Sequence, residues 1–228
     1  MYRPAFAHTK RLATALILCL ALASTAAAEN RYRAEVVVLE RLADPILEER
    51  MSGKQPLSPV SEKRLLVVDA NGNRLSDLDL TDDLTLNTAA SRLENSGKYR
   101  VLMKAGWTQK FPQDYEGEPM RIEVGDYLER AGHRAVEGTI EVDRRRFLLV
   151  TAILNHWRPA RGDSSSDGQI RSSEGTPGAE DDSFGVSARD DGKELITWIQ
   201  ETRRMRSQEI HFLDSPTIGV LVYFHKLD

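Results

Sequence analysis

Val136-Glu137-Gly138-Thr139-Ile140-Glu141-Val142-Asp143, the turn Asp143-Arg144-Arg145 and the apolar run from Phe147 to Trp157 together decide how this chain folds. In the first stretch Val136, Gly138, Ile140 and Val142 alternate with Glu137, Thr139, Glu141 and Asp143. That period of two predicts a strand with one face in the core and one in water. The run that follows is apolar on both faces and reads as the central strand of a hairpin.

Working outward, Tyr99, Val101, Met103, Ala105 and Trp107 alternate with Arg100, Leu102, Lys104, Gly106 and Thr108 in the same way. Tyr32 to Leu39, Leu195 to Thr202 and Ile218 to Phe224 are short and rich in β-branched or aromatic residues, which brings the expected strands to about six or seven. The last two are expected to pair through Ser207 to Pro216, where Ile210 and Phe212 share a face and Asp214-Ser215-Pro216 supplies the turn. Helices are few. Leu86, Ala89, Ala90 and Leu93 have helical spacing and stop at Ser96-Gly97, and a shorter helix is expected from Asp44 as N-cap with Pro45 in its first turn. The expected fold class is α+β, an antiparallel sheet with one or two helices on one face.

Lys10 and Arg11 lead into the apolar run Leu12 to Ala23, which gives way to Ser24-Thr25-Ala26-Ala27-Ala28. Residues 1–28 therefore read as a secretory signal peptide cleaved near Ala28, because the run is about half the length of a membrane span. The chain carries 31 Lys+Arg against 35 Asp+Glu; without Arg3, Lys10 and Arg11 the balance is 28 against 35, a net of −7. Such an acidic protein is a poor general binder of nucleic acid. The one cysteine, Cys19, lies inside the signal, which leaves the exported chain no thiol for disulfides, metal or catalysis. A lipid anchor on Cys19 is the lesser alternative, since Leu18 is bulky where a small residue is wanted. Residues 29–228 read as one domain, interrupted at 159–193 by an acidic Ser/Gly-rich loop expected to be disordered, with three Arg against eight acids between 160 and 192.

No GxSxG elbow, HExxH pair, phosphate-cradling glycine loop or dinucleotide fingerprint is present. His133, His156, His211 and His225 are far apart and form no metal-ligand spacing. Glu137, Glu141 and Asp143 are expected on the solvated face of their strand. Arginines cluster twice beside aromatic residues, as Arg144, Arg145 and Arg146 at the hairpin turn and as Arg203, Arg204 and Arg206 at the end of the strand from Leu195. The guanidinium fork binds carboxylates with two parallel hydrogen bonds, so the second cluster is a candidate carboxylate-binding surface. On a strand, Arg204 and Arg206 would share one face and Arg203 the other. Trp107, Trp157 and Trp198 read either as core or as faces for sugar stacking.

Four segments resemble the CsiV family of small periplasmic peptidoglycan-binding proteins. They are Tyr32-Arg33-Ala34-Glu35-Val36-Val37-Val38-Leu39; Tyr99-Arg100-Val101-Leu102 running to Trp107-Thr108-Gln109; Gly138-Thr139-Ile140-Glu141-Val142 with Arg146-Phe147-Leu148; and Arg203-Arg204-Met205-Arg206-Ser207 with Glu209-Ile210-His211-Phe212-Leu213-Asp214, Pro216 and Gly219-Val220-Leu221-Val222. Gln208 stands where the family pattern has a glycine, and Ser215 where it has a histidine before the proline. The resemblance implies a non-catalytic periplasmic protein without cofactor or metal. It would bind peptidoglycan and support a bifunctional class A penicillin-binding protein through a lipoprotein cofactor of the outer membrane. Arg203, Arg204, Arg206, Trp107 and Gln109 are the candidate ligand-binding residues. The alternatives are a cell-wall hydrolase that uses two of the many acids, and an envelope adaptor that contacts only protein.

Overall fold

The computed structural model describes residues 30–43, 56–58, 61–160 and 192–227. Among them are ten strands and one helix. The first sheet has the order β4 (Tyr99–Lys110), β1 (Arg31–Arg41), β10 (Ile218–Leu227) and β9 (His211–Asp214), all antiparallel. The second runs β3 (Arg74–Leu75), β2 (Arg64–Val68), β5 (Met120–Leu128), β6 (His133–Arg144), β7 (Leu148–Pro159) and β8 (Lys193–Met205), with β2 and β5 parallel and the other pairs antiparallel. Val36, Val38, Val222 and Phe224 of the first sheet pack with Ile122, Ile140, Val150 and Leu154 of the second in one buried core. Each such side chain contributes about 1.5–3 kcal/mol by leaving water. No helix among the described residues is long and apolar enough to cross a membrane.

The α+β expectation is therefore corrected to a mostly β architecture of two sheets with one short helix, α1 (Asn87–Asn95). Leu195 to Thr202 and Ile218 to Phe224 do not pair with each other: β8 pairs β7 in one sheet, and β10 lies between β1 and β9 in the other. The turn at Ser215 instead joins β9 to β10, with the Ser215 amide donating to the Ile218 carbonyl at 2.9 Å. The helix expected from Asp44 and the signal peptide over 1–28 lie outside the described residues, as does most of the 159–193 loop.

Glu137 is also corrected, from solvated to buried. A bulge between His156 and Trp157 pairs Trp157 with Leu195. The extra residue turns Leu195 to the outer face of the second sheet. There Trp157, Leu195, Leu128 and Ala135 form a small separate cluster, and Trp157 Nε1 donates to Glu137 at 2.9 Å.

The helix is seated by one charge. Glu35, on β1, has 0% exposure and pairs with Arg33 at 2.9 Å, while its other oxygen accepts the Leu86 amide at 2.9 Å at the start of α1. A carboxylate there satisfies an orphan amide and suits the positive end of the helix dipole. Opposite Glu35 stands Gly106, where a Cβ would come within 2.3 Å of the Leu84 side chain. The missing side chain lets residues 81–86 lie on the sheet, so that Leu86 and Ala90 reach Val37, Leu39, Leu221 and Tyr223.

A polar seam joins the sheets near the far end of β7. His156 Nδ1 is 2.7 Å from Thr217 Oγ1, which is 2.6 Å from Thr197 Oγ1, and Ser215 Oγ lies 3.2 Å further on. Ser215 thus extends a hydroxyl chain that ends on His156. Glu40 lies 3.7 Å from His156 Nε2 but is bound by Arg100 at 2.6 Å, and Arg100 also grips Asp126. Burial first, and the Arg100 charge second, lower the His156 pKa to about 4. Folded His156 is therefore neutral where an unfolded histidine begins to take up a proton, and the folded state loses stability as pH falls from about 6.5 to about 4.

Three outcomes follow for this framework. Urea unfolding between pH 7 and 4 should show a loss of about 2–3 kcal/mol from this histidine, and His156→Gln should flatten the slope in that window. Gln208 has φ +66° and accepts a hydrogen bond from Tyr223 Oη at 2.7 Å. Gln208→Gly and Gln208→Ala both lose this bond, but only glycine relieves the left-handed backbone, so the alanine variant should be less stable than the glycine variant by about 1 kcal/mol in thermal denaturation. Last, Pro159 pairs with Lys193, and the Ala160 amide donates to the Gly192 carbonyl at 3.0 Å, so residues 161–191 connect two strands already in register. Replacing them by a short Gly/Ser bridge should leave a single cooperative melt, and a broad or absent transition would show that the fold needs the segment.

Candidate functional site

The two arginine clusters, far apart in sequence, meet at one end of the sandwich. The register that opposes Leu148 to Met205 and Leu149 to Arg204 puts the β6–β7 turn beside the end of β8. Between them opens a cleft of about 250 Å³, lined by Tyr32, Arg144, Arg146, Phe147, Leu148, Met205, Arg206 and Ser207. Leu148 and Met205 are buried core residues and form part of its apolar wall.

Within each cluster the arginines divide by task. Arg144 donates to the Asn30 side chain and the Phe111 carbonyl and lies over the Tyr32 ring, tying β6 to the ends of β1 and β4. Arg145 is exposed and pairs with Glu116 at 2.8 Å. Arg203 binds Glu201 at 2.8 Å and the Phe212 carbonyl at 2.6 Å, bridging β8 to β9. Arg206 lies just past the end of β8 and is 68% exposed, with Glu209 at 3.6 Å.

Arg146 and Arg204 differ from these. Each guanidinium lies over the ring of Phe147, at 5.3 and 3.4 Å from its centroid, and neither has an ion-pair partner among the described residues. The strand pattern rightly separates Arg203 from Arg204. It does not anticipate that Arg206 leaves the strand, nor that Arg146 and Phe147 join Arg204. The only signal for that meeting was the adjacency of an arginine and a phenylalanine at a turn.

Trp107 and Gln109 lie elsewhere. Trp107 is 2% exposed and donates to Gln109 at 2.9 Å, and Gln109 donates to Tyr115 Oη at 2.7 Å. Both residues border a cleft of about 570 Å³ with Lys63, Leu78, Asp79, Leu80, Thr81, Asp82 and Thr108. The indole offers this cleft almost no open face for stacking.

Two arrangements resemble catalytic groups. His156 stands between Thr217 and Glu40 as a base stands between a nucleophile and an acid. Thr217, however, is only 3% exposed, so the hydroxyl is not presented to a substrate. Glu141 has its pKa raised, first by burial and then by the charge of Asp143, while Asp143 accepts the Gly117 amide at 2.7 Å. Neither acid borders the two clefts described above. Among the described residues, no group of three or more His, Cys, Asp or Glu could hold a metal ion.

No curated protein and no solved structure matches the chain. A family model described as peptidoglycan-binding protein, CsiV, matches residues 11–227, a span that takes in both arginine clusters and the strands that bring them together at Phe147. With nearly its whole length matched, the chain belongs to the CsiV family of peptidoglycan-binding proteins.

Proposed function

We propose that this chain is a non-catalytic periplasmic protein that binds peptidoglycan and supports wall synthesis by a class A penicillin-binding protein, acting through a lipoprotein cofactor of that enzyme. The binding part is carried by one observation, the arginine-rimmed cleft at Phe147 in a chain of a peptidoglycan-binding family. Location and regulation rest on the leader-like residues 1–28 and on the family resemblance. Arg204 and Arg206 belong to the binding surface. Arg203 beside it, and Trp107 and Gln109 at the separate cleft, are framework residues, because their polar atoms are already bound to neighbouring groups.

Purified protein without residues 1–28 should pellet with isolated sacculi at low and physiological salt, with binding falling as salt rises. Protein left in the supernatant at both salt levels would remove the binding claim. Labelled sacculi in the same mixture should release no muropeptides, and release would favour the hydrolase alternative. A pull-down from envelope extract, with and without prior digestion of the wall, separates a direct protein partner from one held only by shared peptidoglycan.

A further inference from the structure

Peptidoglycan offers two chemistries to a protein, the hydroxyl and N-acetyl groups of its glycan and the free carboxylates of its peptide stems. The side chains at the Phe147 cleft suit the second. We infer, on the reading that this chain binds the wall, that Arg146, Arg204 and Arg206 around Phe147 hold free stem-peptide carboxylates and not the glycan.

The first argument is charge. The chain has more acids than bases, and Arg145 and Arg203 already hold carboxylates. Arg146, which lines the cleft, and Arg204, which adjoins it through Phe147, each lie over that ring and have no ion-pair partner among the described residues. A guanidinium stacked on an aromatic face keeps the donors at its edge available and loses less freedom when it binds a planar carboxylate. Arg206 adds a third fork, since its contact with Glu209 is exposed on both sides and exchanges readily for a better acceptor.

Shape points the same way. At about 250 Å³ the cleft is smaller than the usual small-molecule site of ~300–1,000 Å³, so it takes the end of a ligand and not a whole disaccharide-peptide. Leu148 and Met205 are buried behind it, so the apolar surface open to a ligand there is the half-buried ring of Phe147. The larger cleft at Trp107 carries Asp79 and Asp82, which repel carboxylates.

The test uses the protein without residues 1–28, followed by NMR titration with three soluble probes: a tetrapeptide stem as free acid, the same peptide with its carboxylates amidated, and neutral chitotetraose. The free acid should shift resonances at the Phe147 end of the molecule, and the other two should not. Arg146→Gln with Arg204→Gln should weaken the free acid by about tenfold or more, while melting within a few degrees of the unsubstituted chain. Arg→Lys at both sites should recover only part of the binding, and Arg145→Gln should change nothing. Equal binding of acid and amide, binding of chitotetraose alone, or full binding by the glutamine pair would each overturn the assignment while leaving sacculus pelleting intact. Binding to phosphatidylglycerol vesicles as tight as to the free-acid stem would also overturn it, by showing a general anion site. Failure to pellet with sacculi is a separate result that strikes the parent reading.

Discussion

A fully buried carboxylate at Glu35 constrains much of this molecule. β1 is covered on both faces, by the second sheet on one side and by α1 on the other, and Glu35 sits within it with no exposure. A charge removed from water costs several kcal/mol unless it is matched by ion pairing and hydrogen bonds. Arg33 supplies the first and the Leu86 amide the second. The need for that amide draws residues 81–86 over Gly106 and sets where α1 begins, so one side chain on the central strand governs the packing of an element about fifty residues away in sequence.

Elements whose side chains repeat with one period were legible in the sequence. β1, β4, β6, β7, β8 and β10 follow from alternation or from dense β-branched runs, and α1 from the spacing of Leu86, Ala89, Ala90 and Leu93. The elements that were missed lack such a signature. β2 has five residues, β9 four and β3 two, and β5 carries Arg121 and Glu123, which pair with each other, before its alternation breaks at a bulge near Gly125. The division into two sheets was beyond periodicity altogether, because it depends on which strands pair over long separations. The same reason hid the partnership of Arg146 with Arg204. Spacing placed Arg204 opposite Arg203 on its strand, but only the β7–β8 register brings Phe147 beneath both guanidiniums.

Charge is distributed unevenly for a chain with an acidic total. Most arginines described are already bonded to groups of the protein: Arg134 to the carbonyls of Val68, Asp69 and Gly125, Arg100 to Glu40 and Asp126, and Arg64 to Asp77. The Arg64 contact holds the Asp77 carboxyl at about 2, below the ordinary carboxylate range. A local excess of positive charge at one end of an acidic body orients the whole protein toward an anionic polymer without making it stick along its length.

The β7–β8 hairpin is also a ruler. Its cleft end is Leu148 opposite Met205, and its other end is Pro159 opposite Lys193. At roughly 3.3 Å per residue the two ends are separated by about 35 Å of continuous strand. A fluorophore or tether fixed at Ala160 or Gly192, where the amide of one donates to the carbonyl of the other, is therefore held at the end of the hairpin away from Phe147. The molecule carries its own point of mechanical attachment, a strand's length from the paired arginine clusters.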